Sequence, residues 1–144
     1  MAALSEIARE RGIKYFLISF VDLFGTMRAK IVPATAIDTM AKSGAGFAGF
    51  ATWLDLTPAH PDLMAVPDPS SVIQLPWKKD VAWVAARATM EEKLVDQAPR
   101  NVLEKLIGEA AKEGLRVKTG VEPEFFILNA DGTGISDANA TAEA

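Results

Sequence analysis

The stretch Lys118-Thr-Gly-Val-Glu-Pro-Glu-Phe-Phe-Ile-Leu128 is the one place in this sequence where two carboxylates lie inside an apolar run. Side chains alternate between the two faces of a strand, so a strand over Leu115 to Leu128 would put Glu122 and Glu124 on the same side, about 7 Å apart at their Cα atoms. Two carboxylates that close repel each other unless a positive group lies nearby. The stretch therefore predicts a pair that is either solvated or bound to something positive.

Two interpretations of this pair follow from its neighbours. In the first, Arg116 and Lys118 share the face of the acids, and the segment is a half-buried strand with a salt-bridged, solvated side. In the second, the pair binds a divalent metal, because hard cations such as Mg²⁺ prefer oxygen ligands. Pro123 favours the second, since it removes a strand hydrogen-bond donor between the acids and places them at an edge or a bulge. Phe126 also favours it, since it continues the acidic face into a buried region.

Composition excludes several classes of protein. The chain has 144 residues, no cysteine and a single histidine, His60, so disulfides, thiol chemistry and cysteine or histidine metal clusters are excluded. The net charge of −4 argues against a nucleic-acid surface, which would be basic. No apolar run approaches the roughly 20 residues of a membrane span, and the charged N-terminus is not typical of a signal peptide. We expect a cytoplasmic protein with no nucleic-acid or membrane partner.

The elements that precede the acidic stretch follow the order helix, strand, turn, strand, helix, which includes the opening of a β-grasp unit. Periodicity and turn residues predict a helix from Leu4 to Gly12, strands over Ile13 to Val21 and Met27 to Val32, and a helix over Ala34 to Ala41. Further on, they predict a long loop from Trp53 to Pro69, strands over Ser71 to Leu75 and Val81 to Ala88, a domain boundary over Thr89 to Ala98, and an amphipathic helix from Pro99 to Gly114 that packs on the acidic strand. The expected fold is α+β, with a β-grasp domain over residues 1–95 and a second domain beginning over residues 96–144.

The segment Gly120-Val-Glu-Pro-Glu-Phe-Phe-Ile-Leu128 resembles the first metal-ligand motif of the glutamine synthetase family. The whole chain is similar to the opening third of that family, in particular to its type III or methylamine-ligase-like branch. The resemblance implies that Glu122 and Glu124 each bind a different divalent cation, Mg²⁺ or Mn²⁺. It also implies a β-grasp domain followed by the first helix and strand of a catalytic domain, in a homo-oligomer. In that family ATP phosphorylates glutamate, and ammonia or methylamine displaces phosphate from the γ-glutamyl phosphate.

One stretch departs from the family pattern. Many relatives carry Phe-Asp-Gly-Ser-Ser where this chain has Phe47-Ala-Gly-Phe-Ala51. In the family, that aspartate helps to recruit ammonium in the active site of the neighbouring subunit. Ala48 stands in place of the aspartate and Ala51 in place of the last serine. An apolar wall cannot bind ammonium but can pack against a methyl group, so the departure favours methylamine.

Three functions stay open on the sequence and its resemblance to the family. The chain is the N-terminal portion of an ATP-dependent glutamate–amine ligase, a non-catalytic shortened relative that binds a full-length protein at its subunit interface, or a metal-free domain whose glutamates pair with Arg116 and Lys118. Two carboxylates are too few for Mg²⁺, which demands octahedral coordination. The resemblance puts the nucleotide and glutamate sites beyond Ala144. We therefore expect a fragment or shortened relative that is inactive on its own.

Overall fold

A computed structural model of the chain describes residues 3–136. Its helices and strands, in chain order, are α1 (Leu4–Arg11), β1 (Tyr15–Val21), β2 (Met27–Pro33), α2 (Ile37–Ser43), β3 (Ala45–Phe47), β4 (Leu63–Pro67), β5 (Ile73–Gln74), β6 (Val81–Met90), β7 (Lys93–Leu94) and α3 (Pro99–Lys112). Short 3₁₀ helices over Ala34–Ala36, Gly49–Thr52 and Pro69–Ser71 lie in the connections. Residues 137–144, which belong to the second predicted domain, lie outside the described residues.

The strands form one mixed sheet in the order β2-β1-β6-β4-β3. β1 pairs antiparallel with β2 and parallel with the first half of β6. The second half of β6 pairs antiparallel with β4, and the short strands β5 and β7 also pair with β6. A hairpin, a helix and a parallel central pair are the parts of a β-grasp-like sheet, so the predicted α+β fold is confirmed.

The sheet curls until its two edge strands approach each other. Phe20 of β1 and Phe47 of β3 meet edge to face with their ring centroids 5.0 Å apart. From β2, the ammonium of Lys30 donates a hydrogen bond to the carbonyl of Gly46 and lies 4.9 Å from the ring centroid of Phe47. Within residues 3–136, β2 and β3 share no backbone ladder. Side chains therefore bridge the gap between the two edges.

The hydrophobic core fills the inner face of this curled sheet. Phe16, Ile18 and Phe20 alternate along β1 and are at most 5% exposed. Small residues of β6 lie beside them, and α1 and α2 cover them; these contributors are Ala82, Val84, Ala86, Ala88, Leu4, Ala8 and Ile37. None of the residues of α3 belongs to this cluster. The sheet and the first two helices thus build most of the core, and Ile13, Leu54, Val95 and Ala98 join it from the connecting segments.

The structure confirms most of the predicted elements with small shifts at their ends. Gly12 ends α1 in the left-handed conformation, with φ 67°. The helix predicted from Ala34 begins with a 3₁₀ turn and continues as α2 to Ser43. The strand predicted over Ser71 to Leu75 is shorter, since only Ile73–Gln74 pair with β6.

The loop predicted over Trp53 to Pro69 is wrong in its second half, because that half contains β4. Leu63 and Ala65 alternate inward from β4 and are fully buried. Prolines at both ends of this region suggested a loop. Pro67 nevertheless does not prevent β4 from forming, because it is the last residue of the strand and strand ends tolerate a residue that lacks a hydrogen-bond donor.

The segment predicted as a domain boundary, Thr89 to Ala98, packs on the sheet in the structure. β6 continues to Met90, and the chain turns back into β7 through Glu91 and Glu92, which both have positive φ. Val95 and Ala98 then enter the hydrophobic core. Folded structure is therefore continuous across this segment up to the start of α3.

The strand predicted over Leu115 to Leu128 is not formed. No regular element follows α3 until Leu128, which makes an isolated bridge with Ile135. Phe125 and Phe126 are 75% and 77% exposed. A strand needs hydrogen-bonded neighbours, and within residues 3–136 none pairs with this segment. The expected packing of α3 on an acidic strand is absent for the same reason.

The described part of the chain also contains no helix that is long and apolar enough to cross a membrane.

Replacing Phe16 by alanine should lower the free energy of unfolding by about 3–5 kcal/mol, the usual cost of truncating a fully buried phenylalanine. The matched control is Phe24→Ala in the β1–β2 turn, where the side chain is exposed. That change should cost about 1 kcal/mol, the scale of one aromatic pair. Urea unfolding of both variants measures the difference. Equal losses would mean that the inner face of β1 does not hold the core.

Candidate functional site

Glu122 and Glu124 lie in the irregular segment between Gly114 and Leu128, and both are exposed. The ion pairs in the described part of the chain do not include a pair between either glutamate and Arg116 or Lys118. The salt-bridged, half-buried strand is therefore not formed. The structure leaves both carboxylates open to other partners.

The chemistry of these two residues suits a divalent cation, because carboxylate oxygens are hard ligands of the kind that Mg²⁺ and Mn²⁺ prefer. Among residues 3–136, no group of three or more His, Cys, Asp or Glu side chains comes together to hold a metal. Glu122 and Glu124 can therefore supply part of a coordination shell.

The stretch Phe47 to Ala51 runs from the end of β3 into the 3₁₀ helix Gly49–Thr52. Gly49 is buried against the next loop, where an added Cβ would lie 3.0 Å from the carbonyl oxygen of Pro61. The hydroxyl of Thr52 donates to the carbonyl of Gly49 at 2.6 Å and closes the turn. This turn leaves Ala48, Phe50 and Ala51 on the surface. The two alanines at which the resemblance implies an acid and a hydroxyl in relatives are thus both exposed.

An exposed aromatic patch, formed by Leu23, Phe24, Phe50 and Trp53, lies next to this turn. Each of the four residues is at least half exposed. The rings of Phe24 and Trp53 meet edge to face with centroids 5.5 Å apart, and the N–H of Leu23 donates to the carbonyl of Trp53 at 3.2 Å. Trp53 has φ 53°, an unusual conformation for a bulky residue. These contacts therefore join the β1–β2 turn to Trp53, directly after the 3₁₀ helix Gly49–Thr52.

Asp22 stabilises the β1–β2 turn through a carboxylate that is almost completely buried. It accepts hydrogen bonds from the backbone N–H groups of Phe24 and Thr26 and from Nε of Arg28, all at 2.9 Å. Burial alone would raise the pKa of Asp22. The hydrogen bonds from Thr26, Arg28 and Phe24 outweigh that effect and hold its pKa below the usual range.

A second buried carboxylate, Asp68, lies at the centre of an ion cluster between the end of β4, β6 and α3. Nη2 of Arg100 donates to Oδ2 of Asp68 at 2.6 Å, and Nη2 of Arg87 lies 3.7 Å from the same oxygen. Glu104 accepts a hydrogen bond from Nε of Arg87 at 2.6 Å. Nε of Arg100 lies 3.0 Å from Glu104 as an ion pair, without meeting the geometry of a hydrogen bond. We name these four residues the α3 clasp.

Two members of the clasp, Asp68 and Arg87, have pKa values shifted in the directions that keep them charged. The side chain of Ser70, which donates to Asp68 at 2.6 Å, is the strongest influence lowering the pKa of Asp68. Burial opposes it, whereas the backbone of Ser70 and the two arginines add to it. Glu104 raises the pKa of Arg87 in turn. Asp68 and Arg87 are therefore both ionised near neutral pH.

Comparisons with known proteins identify the relatives of this chain. It is 71% identical over 140 residues to a glutamine synthetase of Rhizobium leguminosarum bv. phaseoli, a match that covers 97% of this chain and 32% of that protein. The chain is homologous to the N-terminal third of the glutamine synthetase family. It is also 38% identical over 125 residues to the glutamate–methylamine ligase of Methyloversatilis universalis, covering 85% of this chain and 28% of the ligase. The predicted resemblance is confirmed.

Solved structures also share this fold. A structure described as "Apo GmaS without ligand" matches with a TM-score of 0.90 and 53% identity over 99% of this chain and 34% of its own. One described as "GmaS/ADP complex-Conformation 1" matches with a TM-score of 0.89 and 53% identity, over 98% and 33% of the two chains. No family model matches the chain. The chain spans about a third of the length of the relatives it matches.

Sequence reasoning missed Asp22, Asp68 and the aromatic patch. The signals were present locally: an aspartate three residues before Gly25 is typical of a turn, and Asp68-Pro-Ser-Ser71 is typical of a capped helix start. The contacts of Asp68 with Arg87 and Arg100 carried no such signal, because they join residues that are distant along the chain.

Lowering the pH should reduce the thermal stability of the wild-type protein more than that of the Asp68→Asn variant. The pKa of Asp68 is lower in the folded state than in the unfolded state, so its ionised form stabilises the fold above the unfolded pKa of about 3.9. This contribution is lost as the pH falls through the lower, folded pKa. Thermal midpoints measured between neutral pH and strong acid should converge for the two proteins at low pH. The exposed substitution Asp62→Asn is the control, and a constant gap between wild type and Asp68→Asn at every pH would contradict the assignment.

Proposed function

We propose that this chain is the N-terminal portion of an ATP-dependent glutamate–amine ligase that acts through a γ-glutamyl phosphate. The observation that carries the proposal is the alignment of 97% of the chain, at 71% identity, with a glutamine synthetase. Since the chain spans about a third of such relatives, the activity belongs to the longer protein. Glutamate, ATP and ammonia or methylamine are its proposed substrates, in a cytoplasmic homo-oligomer.

In this proposal Glu122 and Glu124 each bind one divalent cation, Mg²⁺ or Mn²⁺. Bound cations would neutralise the charge that accumulates on oxygens during phosphoryl transfer. The exposure of both carboxylates and the lack of an ion pair with Arg116 or Lys118 support this role, because a carboxylate that is already paired is a poorer metal ligand. Residues 1–95 would form the β-grasp domain, and residues 96–144 would begin the catalytic domain.

A second candidate function is a non-catalytic module that binds a full-length relative. The apolar surface of α3 and of the following segment supports it. Leu103, Leu106, Phe125 and Phe126 are all more than half exposed. Such a surface is unusual for a protein that works as a free monomer.

A chimera separates the two candidates. In it, this chain precedes the remaining two-thirds of the Rhizobium leguminosarum glutamine synthetase. We expect glutamate-dependent phosphate release from ATP by the chimera and none by the 144-residue chain alone. Glu122→Gln should lower kcat/KM of the chimera by at least about 100-fold, since even partners of metal ligands are worth 10–100-fold.

Glu109→Gln, on the exposed side of α3, is the charge-matched control and should leave the rate unchanged. A folded but inactive chimera would favour the non-catalytic module. A fully active Glu122→Gln chimera would remove the proposed metal role of Glu122.

The names of the relatives include both glutamine synthetase and glutamate–methylamine ligase, so the identity of the amine substrate has to be tested separately. The exposed alanines bear on that choice. Burying one methyl group against Ala48 and Ala51 is worth about 0.8 kcal/mol, or roughly fourfold in preference. The chimera should therefore favour methylamine modestly. Ala48→Asp should shift the ratio of kcat/KM values toward ammonia, whereas Ala111→Asp on α3 should not. An unchanged ratio in Ala48→Asp would mean that Ala48 does not lie near the amine.

A further inference from the structure

Helix α3 rests on the outer face of the sheet, on the side away from the hydrophobic core. A cavity of about 260 Å³ lies between its first turn and the sheet, lined from the sheet by Ser19, Met27 and Trp83 and from the helix by Arg100 and Leu103. No residue of α3 joins the core cluster. Its apolar side chains Leu103, Leu106 and Ile107 are all more than half exposed. Apolar burial therefore contributes little to holding this helix in place.

Polar contacts attach α3 instead, and they fall into two groups. Asn101 is buried, and its amide donates to the carbonyls of Ala88 and Val95, both at 2.8 Å. These bonds pin the first turn to the β6–β7 hairpin. The α3 clasp is the second group, in which Arg100 and Glu104 of the helix meet Asp68 and Arg87.

We propose that α3 is a releasable arm, with Asn101 as its pivot and the α3 clasp as its latch. When the clasp opens, the helix leaves the outer face while the sheet, α1 and α2 stay folded. The helix carries the chain directly into the segment of Glu122 and Glu124, so the latch also sets where that segment begins relative to the sheet. The proposal rests on the contacts of α3 and does not depend on the proposed catalytic function.

The charges of the clasp make the latch sensitive to salt. The side chains of Arg87, Arg100 and Glu104 are 32–40% exposed, so dissolved ions reach them. The Debye length falls to about 3 Å at 1 M salt, comparable to the distances within the clasp. The hydrogen bonds of Asn101 are between neutral groups and should respond much less.

Two measurements can detect the release of α3, because neither would change if the helix stayed attached to the sheet. An isolated helix shorter than about 12–15 residues is marginal in water, and α3 has 14 residues with Gly108 in its interior. A released α3 should therefore unravel and lose the protection of its amide hydrogens. Trp83 lines the cavity under the helix, with its indole nitrogen buried. Its fluorescence should shift to the red and its quenching by acrylamide should increase when α3 leaves.

The experiment uses the whole chain with Trp53→Phe and Trp77→Phe, which removes the two exposed tryptophans and leaves Trp83 as the reporter. In this background, Arg100→Gln breaks the contacts with Asp68 and Glu104. Lys105→Gln is the matched control, because it removes the same charge from an exposed position one residue beyond the clasp.

Arg100→Gln should speed the exchange of the amides of α3 by about tenfold, the factor that corresponds to losing a charge-assisted hydrogen bond. The amides of β1 and β6 should keep their protection, and Lys105→Gln should match the parent. Sodium chloride at 1 M should raise the exchange rates of the α3 amides in the parent protein toward those of Arg100→Gln. Asp68→Asn combined with Arg100→Gln should give less than the sum of the single effects, because both act through one latch.

Three results would overturn the proposal. The first is equal exchange of the α3 amides in Arg100→Gln and Lys105→Gln. The second is an equal acceleration of α3, β1 and β6, which would make α3 part of the same cooperative unit. The third is a failure of Arg100→Gln to fold, confirmed by a similar failure of Glu104→Gln, since the arm would then not be separable from the core.

Discussion

The parallel pairing of β1 with the first half of β6 is the constraint on which the rest of this structure depends. A parallel pair cannot be joined by a tight turn, so the connection has to cross the sheet. Here the connection runs from Val21 to Val81 and carries β2, α2, β3, β4 and β5. The hairpin, the covering helix and the edge strands are thus all parts of one long crossover. Breaking the β1–β6 pair would separate the β1–β2 hairpin from β6 and from the strands that pair with β6.

β6 allows this arrangement because it pairs with strands in both halves of the sheet. Its first half pairs with β1 and β5, and its second half pairs with β4 and β7. Three of its inward residues, Ala82, Ala86 and Ala88, are alanines that leave room for larger side chains. Phe16 and Leu63 fill that room from the neighbouring strands. The curl then brings β2 close to β3, where Lys30 and Phe47 bridge the two edges.

Carboxylates in this protein divide by environment into structural and available groups. Asp22 and Asp68 are buried, hydrogen-bonded and paired with arginine, so their charges are already neutralised within the chain. Glu122 and Glu124 are exposed and lie outside these networks. A buried, unpaired carboxylate would be costly, whereas an exposed one is free to bind a cation. The division agrees with the metal role proposed for Glu122 and Glu124, and it leaves Asp22 and Asp68 with a structural role.

The sequence by itself determined the elements whose signals are local. Gly12 and Pro99 mark helix ends, the apolar alternation from Phe16 to Phe20 marks a strand, and the acidic motif from Gly120 to Leu128 indicates the family. Tertiary structure decided the features that depend on partners far along the chain. β4 forms within a proline-rich region because β3 and β6 supply its hydrogen bonds. The segment Leu115 to Leu128 has strand-like residues but no such partner within the described chain, so it forms no strand. Asp68 and Arg100 meet across 32 residues, and no periodicity along the chain could indicate that contact, because propensity acts on neighbours whereas pairing is set by the fold.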